Sequence, residues 1–318
     1  MSLFRRVIRL FLTLLGLIVG FIVAVAVFFA RQMIRPARAR LWATPADAGL
    51  DYEDVEFPAR DGLRLSGWFV PAETENGDPR PAIVLVHGWP WNRLGEAADT
   101  LMANVSGATP VDLLRLAHAL HQGGYHVLMF DLRNHGQSAE SNAVTFGLQE
   151  SNDLLGALDY TAGRDDVDEE HIGVVGFSMG ANTLLYALPS ADCIRAGVAV
   201  QPTSFQVFAP RYAQDLLGPL GKPVEALASF IYEQASHMPP SAVEPVFAAA
   251  GAPKEVPVLY VQGKGDRWGS VSNVAHMADR TPGAVPPLFV ESHHRYGGYR
   301  YVVDNPDVLL GFFGEHLA

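Results

Sequence analysis

The sequence predicts an α/β fold built on a mostly parallel central sheet, and three observations support this class. Short apolar runs of strand length alternate with amphipathic segments of helix length beyond residue 50. A Gly-x-Ser-x-Gly turn at residues 176–180 joins one apolar run to a helical segment. Such a strand–turn–helix arrangement is typical of parallel sheets whose faces are both covered by helices.

A different kind of segment precedes this region. Residues 10–30 form a run of 21 residues without a charge, which as a helix spans about 31 Å and matches a bilayer core of roughly 30 Å. Arginines flank the run on both sides: Arg5, Arg6, Arg9, Arg31, Arg35, Arg38 and Arg40. We therefore expect one N-terminal transmembrane helix that anchors the chain to a membrane by a single pass, with its orientation left open.

A cleaved signal peptide is the alternative interpretation of this run, with Ala24-Val25-Ala26 as its cleavage site. The apolar core of a signal peptide usually has about 7–15 residues. The run is longer, and its length favours a helix that is retained.

The elements beyond residue 50 follow in a regular order. Residues 55–57 and 63–70 predict an antiparallel hairpin. Further strands are expected at 82–86, 125–130, 172–175, 196–200, 256–261 and 288–290, and helices at 111–122, 149–160, 181–188 and 307–317. We expect an anchor and linker at residues 1–45 and a catalytic domain at 46–318. Its proline- and aromatic-rich segment, about 201–253, is expected to form a cap above the sheet.

The charge distribution limits the ligands. All 34 acidic residues lie beyond residue 46, whereas seven of the 23 basic residues precede it, so the region beyond has a net charge of −18. An acidic body disfavours nucleic acid and phosphorylated ligands such as acyl-CoA. No phosphate-binding loop, dinucleotide fingerprint or metal-ligand cluster is apparent, and neither a cofactor nor a metal is expected.

Ser178 is the candidate nucleophile. It occupies the apex of the turn at 176–180, directly after an apolar strand. Such a turn strains the serine backbone and exposes the hydroxyl above the carboxyl end of the sheet, where open α/β sheets bind ligands.

The order of these motifs resembles the α/β-hydrolase superfamily, in particular its esterase- and lipase-like serine hydrolases. The resemblance covers about residues 50–318 and implies a catalytic triad in the chain order Ser…Asp…His. Asp266 follows the strand at 256–261 and is the implied acid, because the alternative position after the preceding strand reads Gln201-Pro202. The implied base belongs to the pair His293-His294, where the usual spacing favours His294 and leaves His293 as the alternative.

Two backbone N–H groups are expected to stabilise the oxyanion, each contributing roughly 2.7–4 kcal/mol to barrier lowering. One belongs to Met179, directly after the nucleophile, and the other to Trp89, since Pro90 has no N–H. His87 is expected to fix this loop, and the Asp131 loop is expected to be structural.

The resemblance implies cleavage of a small-molecule carboxylic ester through an acyl-enzyme. The aromatic cap and the expected anchor favour a hydrophobic acyl group. An aminopeptidase-like amide hydrolase is the first alternative and requires an acidic group near the substrate amine, for which Glu225, Glu233 and Glu244 are available. A non-catalytic, membrane-anchored binding protein is the second.

Overall fold

The computed structural model describes residues 2–73 and 77–317, and within them eight strands form one central sheet. The strands in chain order are β1 Glu53–Pro58, β2 Arg64–Val70, β3 Arg80–Val86, β4 Gly95–Glu96, β5 Val111–Asp112, β6 His126–Phe130, β7 Val167–Phe177, β8 Ile194–Val200, β9 Val258–Gly263 and β10 Leu288–Val290. The central sheet has the order β1-β2-β6-β3-β7-β8-β9-β10, while β4 and β5 pair separately.

The central sheet is mostly parallel, as predicted. β1 and β2 form the expected antiparallel hairpin, β2 pairs antiparallel with β6, and every later neighbouring pair is parallel. In the parallel part, Val86 pairs with Phe130 and with Gly176, and Val200 pairs with Phe177 and with Val261. This register brings the carboxyl ends of five strands to one edge of the sheet, where a site can form.

Helices cover both faces of the sheet. They are α1 Ser2–Ile34, α2 Leu101–Val105, α3 Leu113–Gln122, α4 Glu150–Ala162, α5 Met179–Ala187, α6 Phe205–Leu217, α7 Gly221–Ser236, α8 Pro245–Ala249, α9 Val271–Arg280, α10 Arg295–Asp304 and α11 Asp307–His316. The apolar core on one face includes residues of α4, α5 and α9, and the core on the other face includes residues of α3, α10 and α11. These two cores confirm the predicted layering.

The predicted cap lies between β8 and β9 and consists mainly of α6, α7 and α8. Its helix α7 packs against the last third of α1. The small side chains Ala26 and Ala30 of α1 are buried against Val224 and Ala228 of α7. Small residues at such a contact let two helix backbones approach closely. No pattern in the sequence indicated this contact, and the division at residue 45 remains a prediction.

Most of α1 is exposed. Within the described residues it is the one helix long and apolar enough to cross a membrane, and 6% of its apolar stretch is buried. Its 33 residues span about 50 Å, more than a hydrocarbon core of roughly 30 Å. The contact with α7 involves α1 residues between Ile22 and Ala30, in the second half of the uncharged run 10–30.

We predict that the turn around Ser178 tolerates no added methyl group at Gly180. A Cβ there would lie 2.2 Å from the Val86 carbonyl oxygen, so Gly180→Ala is expected to destabilise the fold by about 3 kcal/mol. Gly314→Ala is the matched control. Gly314 lies on exposed helix surface, and a Cβ added there would meet no atom within 4 Å beyond its own stretch of helix. It should stabilise the fold by up to about 1 kcal/mol. Denaturant unfolding of both purified variants measures the difference, and equal stability of the two contradicts the packing described.

Candidate active site

Ser178 lies at the tip of the turn between β7 and α5. Its φ of 53° and ψ of −111° place its backbone in a region that residues other than glycine rarely adopt. The Ser178 N–H donates to the Val200 carbonyl at 2.9 Å, which ties the turn to the neighbouring strand. Strain of this kind persists only where the surroundings hold it, and it is common at active sites.

A cavity of about 410 Å³ lies above Ser178. Its walls come from the cap, from α10, from the segment after β3 and from α1. Aromatic side chains dominate the lining: Phe28, Phe29, Trp89, Trp91, Phe146, Phe205, Phe208, Tyr212, Trp268, Tyr296 and Tyr299. The cavity has the size and the largely apolar character of a small-molecule site.

Arg295 connects Ser178 to Asp266. Its Nη1 donates to Asp266 Oδ2 at 2.6 Å, and its Nη2 donates to Ser178 Oγ at 3.2 Å and to the Gln201 carbonyl at 2.7 Å. Its Nε donates to the Tyr299 hydroxyl. Burial is the largest single influence and lowers the pKa of Arg295, but Asp266 and Tyr299 together outweigh it, so the pKa lies above its ordinary value. A guanidinium therefore occupies the position expected for the base.

Asp266 lies in the loop after β9, where the sequence predicted it, and its side chain is 1% exposed. Its Oδ1 accepts hydrogen bonds from the Trp268 and Gly269 N–H groups, both at 2.9 Å. Its Oδ2 accepts from Gln262 Nε2 at 3.1 Å, besides Arg295. Charged hydrogen bonds of this kind are the strong ones and fix the carboxylate firmly.

The structure brings neither histidine to Ser178 or to Asp266. His294 caps α10, its Nδ1 accepting from the Tyr296 N–H at 3.4 Å, and its ring lies edge-on to Trp268 with centroids 4.8 Å apart. Burial, followed by the charge of Arg267, lowers the pKa of His294. His293 is exposed on the loop. Among the described residues, the hydrogen bonds to Ser178 Oγ and to the Asp266 carboxylate come from neither histidine.

The start of α10 explains this arrangement. The helix begins at Arg295, and residues four apart on one helix share a face, so Arg295 and Tyr299 both face the cavity. A count of residues from the end of the strand does not reveal where this helix begins. The sequence feature that could have indicated this helix is the aromatic run at 295–301, whose spacing fits a helix.

The two predicted oxyanion donors flank Ser178. The Met179 N–H is the first of α5 and has no carbonyl partner within the helix. The Trp89 loop lies against the nucleophile turn, since a Cβ at Gly88 would be 3.2 Å from the Phe177 carbonyl oxygen and 3.3 Å from the Ser178 Cβ. The role of both N–H groups remains a prediction.

Buried polar groups hold the Trp89 loop, in line with the structural role expected for them. The His87 Nε2 accepts from the Leu132 N–H at 3.0 Å, so its Nδ1 carries the proton and donates to the Gly88 carbonyl at 2.8 Å. Burial lowers the pKa of His87, which keeps the ring neutral. Arg93 pairs with Asp131 at 2.7 Å, with both side chains fully buried.

Sequence reasoning missed the polar groups of the cavity wall. Glu96 and Arg38 both line the cavity, Glu96 from β4 and Arg38 from the linker. Burial raises the pKa of Glu96 above its ordinary value.

The acidic residues of the cap lie elsewhere. Glu225 lines a separate small pocket between α1 and the cap, and it accepts a hydrogen bond from Ser229. Glu233 is exposed, and Glu244 is partly exposed; neither lines the described cavity.

Comparison with known proteins agrees with this architecture. Residues 83–310 match the model of the alpha/beta hydrolase family. The chain belongs to the alpha/beta hydrolase family. The uncharacterized protein YfhR of Salmonella typhi is 34% identical over 148 residues, which cover 46% of this chain and 42% of that relative. The match thus spans less than half the length of either protein.

Two solved structures share the fold. The Pyrococcus furiosus esterase Pf2001 has a TM-score of 0.67 at 21% identity, and the alignment covers 90% of this chain and all of that one. The Pyrococcus horikoshii acylaminoacyl peptidase has a TM-score of 0.61 at 18% identity, with 84% of this chain and 42% of that one covered. At these identities, the likeness establishes the fold of the chain.

We predict strong energetic coupling between Arg295 and Asp266. Arg295→Met leaves a buried carboxylate without its cation and should cost about 3–5 kcal/mol of unfolding free energy. In the double variant Arg295→Met/Asp266→Asn, the loss should be at least about 2 kcal/mol smaller than the sum of the two single losses. Denaturant unfolding of the four proteins measures this coupling. Additive losses contradict the ion pair described here.

Proposed function

We propose that this chain is a membrane-anchored serine hydrolase that cleaves carboxylic esters with a hydrophobic acyl group. The observation that carries the proposal is the strained Ser178 in the wall of a largely apolar cavity. Membership of the alpha/beta hydrolase family and the esterase fold of Pf2001 support hydrolysis. The apolar lining favours the hydrophobic acyl group.

In the proposed reaction, Ser178 Oγ attacks the ester carbonyl carbon, and the Oγ proton passes to a base. The N–H groups of Trp89 and Met179 stabilise the negative oxygen of the tetrahedral intermediate. Collapse releases the alcohol, which takes up that proton and leaves an acyl-enzyme. Water then attacks the acyl group by the same steps and releases the acid.

Arg295 is not the base of this reaction. A guanidinium donates hydrogen bonds and does not accept a proton in the ordinary pH range, and Asp266 raises its pKa further. We propose that His294 replaces Arg295 between Ser178 and Asp266 during turnover. It is the adjacent residue, and its present hydrogen bond with the Tyr296 N–H is long at 3.4 Å. We propose that the exchange takes place by a shift of one residue at the start of α10.

We also propose that α1 anchors the enzyme. Its exposed apolar surface and its arginine flanks support a helix retained in the bilayer.

We predict that Leu14→Arg/Leu17→Arg, at two exposed positions, shifts the protein from the membrane fraction to the carbonate-soluble fraction. Each arginine at the centre of a helix costs about 2.5–3.5 kcal/mol of insertion. Intact mass of the wild-type protein from cells decides between a retained and a cleaved segment, and a mass without residues 1–26 contradicts the anchor.

A second candidate function is that of a non-catalytic binding protein. The specific observation in its favour is Arg295, whose guanidinium donates to both Ser178 Oγ and Asp266 and cannot accept the serine proton. If the exchange with His294 does not occur, the cavity can still bind an apolar ligand.

Labelling by a fluorophosphonate probe separates these two functions. We predict that the wild-type chain is labelled, that Ser178→Ala abolishes labelling, and that His294→Gln slows it by about 10²-fold or more. His293→Gln is the matched control and should label within twofold of the wild type, because His293 is exposed on the loop.

The other labelling outcomes distinguish between the two functions and between the two histidines. A folded wild-type protein that does not label supports the binding protein and contradicts the hydrolase. Labelling that survives in His294→Gln but not in His293→Gln assigns the base to His293, and survival in both variants removes the histidine exchange from the mechanism.

A further inference from the structure

The anchor helix also forms part of the cavity that contains Ser178. Phe28, Phe29 and Gln32, in the last two turns of α1, line this cavity. The Gln32 carbonyl accepts a hydrogen bond from Trp89 Nε1 at 3.2 Å. Tethering to a membrane does not by itself require an anchor helix to line the binding site.

A second, smaller pocket of about 40 Å³ lies between α1, α6 and α7. We call it the seam pocket. It is bounded by Met33 of α1, by Ala213 of α6, and by Val224, Glu225, Ala228 and Ser229 of α7. Six further side chains line both this pocket and the larger cavity: Phe29, Trp89, Phe146, Phe205, Phe208 and Tyr212. Shared walls make the two spaces neighbours, and the six side chains between them are all aromatic.

The seam lies beside the apolar part of α1. The residues of α1 that pack near α7 begin at Ile22 and end at Ala30, within the uncharged run 10–30. On α7, Phe230 is 59% exposed. An acyl chain in a bilayer is already in an apolar phase, so it can pass sideways into an apolar seam without crossing water.

We infer that the larger cavity holds the acyl chain of a bilayer lipid ester, which enters sideways through the seam pocket and places its carbonyl at Ser178. This inference rests on the proposed ester hydrolysis for the reacting end of the ligand. The substrate class is then a membrane lipid with a long acyl chain. The wall of the larger cavity also contains the polar groups Arg38 and Glu96.

The test uses the full-length Ser178→Ala protein in phosphatidylcholine vesicles, so binding is measured without turnover. A long-chain fatty acyl ester with a diazirine near its chain end is added to the vesicles and photolysed. Adducts are mapped by mass spectrometry. Adducts on α1 alone can arise from bulk lipid, so the informative adducts are those on residues 205–213 of α6. We expect them to form.

Filling the seam should block this labelling. In the Ser178→Ala background, Ser229→Trp is expected to reduce the adducts on α6 at least fivefold. Ala228→Met is a second, smaller substitution, used in case the first does not fold. Phe247→Trp is the matched control, because Phe247 is 74% exposed on α8 and lines neither pocket, and it should leave the adducts unchanged.

Two outcomes overturn the inference: the absence of adducts on α6 in the parent protein, and undiminished adducts in both seam-filled variants. The second probe is a water-soluble diazirine ester with a four-carbon acyl chain. Ser229→Trp should leave the amount of its photoadducts in the larger cavity unchanged. A negative fluorophosphonate result affects the proposed hydrolysis and leaves this binding measurement intact.

Discussion

The buried ion pair between Arg295 and Asp266 is the interaction on which the site depends. Together with its other hydrogen bonds, Arg295 connects the turn at Ser178, the end of β8 at Gln201 and the loop at Asp266. Both side chains of the pair are at least 98% buried. Taking either charge out of water costs several kcal/mol, and the loss is offset only while the partner and the surrounding donors stay in place. The pair therefore fixes the relative positions of three strand ends.

The same pair determines the chemistry available to Ser178. A cation beside Oγ favours a negatively charged oxygen, yet it offers no lone pair for the proton that must leave. The site thus has a strained nucleophile, but the position expected for its base is occupied by a hydrogen-bond donor, Arg295. The proposed hydrolysis requires an exchange of side chains at the start of α10, and the neighbouring His294 is the proposed partner in that exchange. Without it, the second candidate function, ligand binding, remains. Under the proposed anchoring, the contact between α1 and the cap places either function beside lipid.

The sequence was sufficient for the features that depend on local pattern. The alternation of strands and helices, the turn around Ser178, the position of Asp266 and the cap between β8 and β9 all follow from periodicity, glycine placement and chain order. Arg295 was missed because its role depends on where α10 begins, which a count from the end of β10 does not determine. The packing of Ala26 and Ala30 against α7 was missed for a similar reason. Small apolar residues fit a lipid-facing helix as well as a helix–helix contact, and the pattern of one helix cannot identify its partner.

The decisive experiment is the structure of the full-length protein with a fluorophosphonate bound covalently to Ser178. We predict that the Arg295 guanidinium has left Ser178 Oγ and that the His294 imidazole lies within hydrogen-bond distance of both Oγ and the Asp266 carboxylate. An adduct on Ser178 with Arg295 still bridging to Asp266, and with His294 still edge-on to Trp268, would contradict it.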